Sequence, residues 1–303
     1  MNTKTKSQKT EYITTEIKSP KRKKKLKLNE KKYSENNSFE IKKIVSTNIN
    51  NLVPLGFEHL VLSAQKAIII DRYINIFFSI LVISIAFLHL FNFPYLYSFY
   101  LLSLTVIFKI LFETFYRINL ETNNIESPSS IYQEKITPIL KIIKSSKKIW
   151  RQLTTSEVID RKYSSGASEF TKLENCSVSK YAPFPFKTKL EITTIKSSKE
   201  IVVFLPNKLL IIKGKNIGII DYFDTFVDVK KIEFIEKNKV PKDSKIIGKT
   251  WKYRNKNGTR DRRFKNNVEY PICIYGKLEL KSEFGLDLSI IFSNGSMSWK
   301  TNF

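Results

Sequence analysis

The chain reads as an α+β membrane protein: a two-helix transmembrane hairpin followed by a cytoplasmic, mainly antiparallel all-β domain, a sandwich or small barrel. Three observations lead there. Tyr73 to Phe108 is a run of 36 residues without Asp, Glu, Lys or Arg, in a chain that is 26% charged. Pro94 interrupts that run near its middle, where a missing backbone donor and a restricted preceding residue break a helix. From about Lys187 onward the pattern changes to short β-branched segments with period-two alternation.

Residues 1–50 carry Pro20-Lys21-Arg22-Lys23-Lys24-Lys25-Leu26-Lys27 and Lys31-Lys32, with few aromatics and no sustained apolar period. Such a stretch cannot offset its ordering entropy and is expected to be a disordered basic tail. Its electrostatic role would be adhesion to anionic lipid headgroups at the inner leaflet, the alternative being a solvated tail. Residues 51–72 are expected to form a short juxtamembrane helix.

The hairpin is expected over 73–116. One straight helix of 36 residues would reach about 54 Å, well beyond a hydrocarbon core of about 30 Å, so the segment must turn back. Ile74 to Leu88 is apolar all round, unlike a soluble amphipathic helix. Lys109 and Glu113 interrupt the second arm near its far end and are spaced to pair on one helix face. Tyr95, Tyr97, Phe99 and Tyr100 at the turn, and Phe112, Phe115 and Tyr116 at the other end, stand where aromatic belts form. Lys66, Arg72 and Arg117 flank the arms while the loop is uncharged. The positive-inside rule therefore puts both termini in the cytoplasm of a multi-pass inner-membrane protein, with the lipid bilayer as its first partner.

Residues 117–160 are expected as a polar connector and an amphipathic helix, with Ile136, Ile139, Leu140, Ile143, Ile149, Trp150 and Leu153 at helical spacing. Residues 161–303 are expected as one β-rich domain. Its strands fall at 189–195, 200–205, 208–213, 217–222, 225–235, 246–253, 272–281 and 286–292. Between them stand turn signals such as Pro206-Asn207 and Asn257-Gly258.

The formal charge is +24, from 52 Lys and Arg against 28 Asp and Glu. That balance points to anionic partners, nucleic acid or acidic lipid, but the Lys, Asn and Ile richness also fits a compositional bias. Cys176 and Cys273 have no metal-ligand spacing, and His59 and His89 are the only histidines, so neither a zinc centre nor any other metal or cofactor site is read. No P-loop, nucleophile elbow, HExxH or Gly-rich dinucleotide turn is present, and no catalytic residue is assigned.

Gly248 to Asn267 is the most distinctive stretch. Four of the nine arginines fall at Arg254, Arg260, Arg262 and Arg263. Arginine in a chain that otherwise uses lysine points to a need for its planar, multi-donor fork. Trp251, Tyr253, Arg254, Lys256, Arg260, Arg262, Arg263 and Lys265 form the candidate anion-binding set. The competing reading is that these arginines brace the loop, with Asp261 neutralising a neighbour. Lys162 to Ser168, Phe204 to Leu210, and Thr250-Trp251-Lys252-Tyr253 with Asn255-Lys256 and Asp261-Arg262-Arg263-Phe264 resemble an uncharacterised bacterial domain family. Its signature is of the TWxYxNKxGxxDRRF type, and the resemblance spans about 161–303. It implies a bacterial source and carries no reaction.

The favoured function is a two-pass membrane-anchored protein presenting a β-rich binding or sensing domain to an anionic ligand or partner. A second reading is a nuclease-like enzyme at the membrane, built from Glu233, Glu236, Asp243 and Asp261 with Lys249 or Lys252. A third is a structural adaptor with no small ligand, whose hairpin arginines stitch the domain together; a nucleic-acid or protein partner is left open.

Overall fold

Leu60, Val61, Ala64 and Ala67 are buried along one stripe of a helix that, fifteen residues later, exposes Phe77, Ile80 and Ile83. That change of surroundings along one element organises half of the protein. The computed structural model describes residues 42–44, 46, 52–54, 56–89, 95–120, 128–157, 165 and 167–295. Most of the basic tail, Pro94 with its loop, residues 121–127 of the connector, and most of 161–166 lie outside the described residues. The protein is α+β, with three α-helices and mainly antiparallel sheets among the described residues. Two compact units share the chain: one takes the described residues within Met1–Thr47, Glu134–Ser177 and Thr225–Phe303, the other those within Asn48–Gln133 and Val178–Asp224.

In the second unit, helix α1 spans Glu58–His89 and helix α2 spans Tyr95–Phe115. Both are long and apolar enough to cross a membrane. The expected boundary at residue 72 is absent, because Ile70 to Tyr73 contains no Gly or Pro and Asn75 Nδ2 donates to Asp71 Oδ2 one turn back at 2.9 Å. Lys109 does not pair with Glu113. Its ammonium donates instead to Asn75 Oδ1 across the hairpin at 2.6 Å, because the facing helix offers an acceptor that Asp71 already orients.

The same unit holds strands β5 (Ser177–Ser179), β7 (Thr193–Lys196), β8 (Ile201–Phe204), β9 (Lys208–Lys213) and β10 (Asn216–Asp221), in the order β10-β9-β8-β7-β5. Leu210, Ile212, Ile217 and Ile219 from β9 and β10 form one core with Leu60, Val61 and Ala64 of α1. The first three turns of α1 are thereby stapled to a sheet. A short parallel pair, β2 (Ile118–Asn119) with β6 (Phe186–Lys187), follows α2.

The first unit is a seven-stranded sheet. Strands β1 (Lys42–Lys43), β3 (Ile149–Glu157), β14 (Asp287–Phe292), β13 (Glu269–Lys281) and β11 (Phe226–Ile235) form the main order β1-β3-β14-β13-β11. Strand β4 (Glu169–Asn175) pairs with β3, and β12 (Lys245–Trp251) with β13. The segment expected as an amphipathic helix through 160 contains helix α3 (Thr137–Ser145) and then β3. Trp150 and Leu153 therefore belong to a strand. The reason is visible in its burial: Trp150, Arg151 and Gln152 are all buried, so both faces of β3 are covered and no period-two alternation marks it. Residues 161–303, expected as one domain, contribute strands to both units.

The core of the sheet is aromatic. Trp150 lies 5.3 Å from Tyr275 and 6.4 Å from Phe234, and Tyr275 lies 5.1 Å from Phe234, with Cys273, Leu173 and Ile291 packed around them. The Tyr275 hydroxyl donates to Glu236 Oε2 at 2.7 Å. Burial and that neighbouring carboxylate push the phenol far above the usual tyrosine range. Gly276 lets β13 and β14 close, since a Cβ there would overlap the Phe292 ring.

Candidate functional site

The Arg-rich stretch begins at the end of β12 and folds into a hairpin about Asn257-Gly258. Gly258 supplies the positive φ of 85° that the turn requires, and its N–H donates to Asn255 O at 2.9 Å. Arg254 and Arg260 face each other as an antiparallel bridge. Asn255 Nδ2 closes the turn by donating to Thr259 Oγ1 at 3.0 Å.

Below the turn the eight candidate residues take different roles. The Tyr253 ring is buried and stacks on Phe264 with centroids 4.0 Å apart. Asn267 clamps the Tyr253 backbone from both sides, accepting its N–H at 2.9 Å and donating to its carbonyl at 2.6 Å. Asp261, 2% exposed, accepts from Arg263 Nε at 2.9 Å and Nη2 at 2.6 Å, a two-point ion pair within the loop. The Arg260 guanidinium lies 5.4 Å from the Trp251 ring centroid and donates to Lys265 O at 3.3 Å. Lys256, Arg262 and the Lys265 side chain stand at the exposed rim. Trp251, Tyr253, Arg260 and Arg263 are thus tied to partners inside the hairpin.

Arg254 differs. It lines a cavity of about 490 Å³ formed within the sheet unit by β3, β4, β11, β12, β13 and β14 with the segments before β4 and after β12. Its guanidinium makes no hydrogen bond or ion pair with any other described residue, although the residue is only partly exposed. The other seven candidate residues do not line this cavity. Thr250 Oγ1 donates to Ser165 O at 2.6 Å, and Ser165 is a non-glycine residue held at φ 58°, in left-handed space. A strained residue at a cavity wall must be held by its surroundings, and here the strand end holds it.

Sequence reasoning missed the rest of the lining. Ser165 and Ser168 stood out only within the Lys162 to Ser168 resemblance, with no binding role, and Gln152, Thr171 and Lys277 carry no motif; they meet because β3 and β4 are strands of the same sheet as β11 and β13. The carboxylates considered for a metal-dependent reaction are dispersed. Glu236 accepts from Tyr275, Asp261 from Arg263, and Asp243 from Ser293 Oγ at 2.7 Å and Lys147 N at 2.8 Å. Among the described residues no three of His, Cys, Asp and Glu come together as metal ligands.

Fold and site define an α+β protein that combines two helices of membrane-crossing length with a sheet unit holding a polar cavity. A scan against protein-family models, a search of curated proteins and a search of solved structures each returned no match. The resemblance read over about 161–303 therefore rests on its sequence motifs alone.

Proposed function

We propose that the chain is a two-pass inner-membrane protein whose cytoplasmic β-rich part binds a small anionic ligand through Arg254. The observation that carries the anchor is the outward direction of the apolar side chains. Ile83 is 68% exposed, Phe99 79% and Phe115 81%, and only 6% and 11% of the two most apolar windows are buried. A core helix of a water-soluble domain would hide these groups, whereas contiguous exposed apolar surface of this extent calls for lipid. Lys66, Arg72 and Arg117 flank the hairpin on the side that would face the cytoplasm. The anion reading rests on the unpaired Arg254 guanidinium at the cavity.

Cys176 provides the test. It is partly exposed while Cys273 is fully buried, so a membrane-impermeant maleimide has one native target. The full chain should stay in the pellet after alkaline carbonate washing. Cys176 should react in inverted vesicles and stay unmodified in intact cells. Release by carbonate would remove the anchor, and modification from outside would reverse the orientation.

A further inference from the structure

We infer that the cavity at Arg254 selects a monocarboxylate with an apolar body, and rejects phosphate and nucleotides. The inference deepens the anion-site reading above and rests on it. The cavity volume of about 490 Å³ lies within the range that holds one small organic molecule.

Several polar groups of the lining are committed. Gln152 Oε1 accepts from Ser289 Oγ at 2.8 Å, Thr250 Oγ1 donates to Ser165 O, and the Ser165 hydroxyl points to Lys252 O at 3.4 Å. Lys277, the second cation of the lining, is paired with Glu279. Among the described residues of the lining, Arg254 is left as the cation with uncommitted donors, and a partly desolvated guanidinium matches the two oxygens of a carboxylate.

Charge balance sets the ligand's valence. Glu169 and Glu233 line the same cavity as Arg254, and the ammonium of Lys277, the other cation of the lining, is taken by Glu279. A ligand with two or more negative charges would meet two carboxylates against the single uncommitted cation of that described lining, which is a specificity element by repulsion. Part of the remaining wall is apolar, with Ile232, Ile235, Ile272 and Ile291, and hydrocarbon burial against it would add to the single ion pair. One anchoring charge and an isoleucine wall describe an aliphatic or aryl monocarboxylate.

The test uses the full chain in nanodiscs of zwitterionic phosphatidylcholine, with empty discs as background, and equilibrium dialysis of labelled 3-phenylpropionate. Saturable retention is expected. It should weaken by about tenfold or more in Arg254→Gln, recover partly in Arg254→Lys, and stay unchanged in Arg262→Gln. Phosphate, ATP and the neutral alcohol 3-phenylpropanol should not compete. Tryptophan-monitored unfolding of each variant separates lost binding from lost folding. Arg254-dependent competition by ATP or phosphate would overturn the monocarboxylate selection and leave the anion site standing. Retention that survives in well-folded Arg254→Gln, or no retention of any anion, would overturn both.

Discussion

The helical hairpin and the seven-stranded sheet use the same side chains in opposite directions. In the sheet, Ile291, Phe234 and Leu173 turn inward around Trp150 and Tyr275; in the hairpin, Ile80, Ile83 and Phe99 turn outward. With the hairpin in lipid, as proposed above, the two regions obey one rule in two solvents. Water drives the sheet's apolar groups together, whereas between helices in lipid that drive is missing and packing with polar contacts must hold them. The Lys109–Asn75–Asp71 chain is a polar contact of that kind between the two helices.

The comparison breaks most visibly at Trp150, which is 1% exposed at the centre of the aromatic stack. Trp150→Ala should cost about 3–5 kcal/mol through lost burial and the cavity left behind, read as a fall in the denaturation midpoint of the sheet unit. A loss below about 1 kcal/mol would mean that the stack is not the core. The hairpin should respond to the reverse change. Ile80→Lys adds a charge to a side chain already 58% exposed, which in water would cost almost nothing. In a bilayer it should cost about 3 kcal/mol and lower the carbonate-resistant fraction, and an unchanged fraction would place this face in water.

How much of each region the sequence revealed follows from the same contrast. The two apolar helices were legible because 36 uncharged residues in a row exceed what a core helix in water needs, and β7 to β14 because β-branched runs or alternation stand between turn residues. Strand β3 was not legible, since Trp150, Arg151 and Gln152 are buried on both faces and nearby lysines at helical spacing imitate an amphipathic helix. Arg254 was legible as an arginine worth singling out, but its separation from Arg260 and Arg263 was not. All three sit in one basic motif, and only the fold gives two of them partners within the hairpin and the third a cavity.

Within the sheet unit, a smaller effect sharpens the difference between the hairpin's braces and its rim. Asn267 is 7% exposed and holds the Tyr253 N–H and carbonyl with one amide. Asn267→Ala leaves both backbone groups without that amide and should cost about 1–3 kcal/mol. Arg262→Ala at the exposed rim should change stability by less than about 0.5 kcal/mol. Equal effects from the two substitutions, measured in the same chemical denaturation series, would dissolve the distinction between brace and rim.

The smallest effect is electrostatic and tests whether the charged end of the sheet contributes at all. Glu279 stands between Lys277, Lys230 and Lys281. Burial alone would raise its carboxyl pKa, but hydrogen bonds and charge from Lys277 and Lys230 outweigh burial and hold it below the ordinary carboxylate range. A carboxylate whose pKa falls on folding stabilises the fold fully above its unfolded value of about 4.3 and loses that contribution as pH drops through the lower folded value. Stability should therefore decline as pH falls below that range, and less steeply in Glu279→Gln, which has no proton to take up. Lys230 and Lys281 are about half exposed, so salt should shrink the difference between the two proteins. Identical acid limbs at low salt would show that water already screens these lysines, leaving the aromatic stack to stabilise the sheet without them.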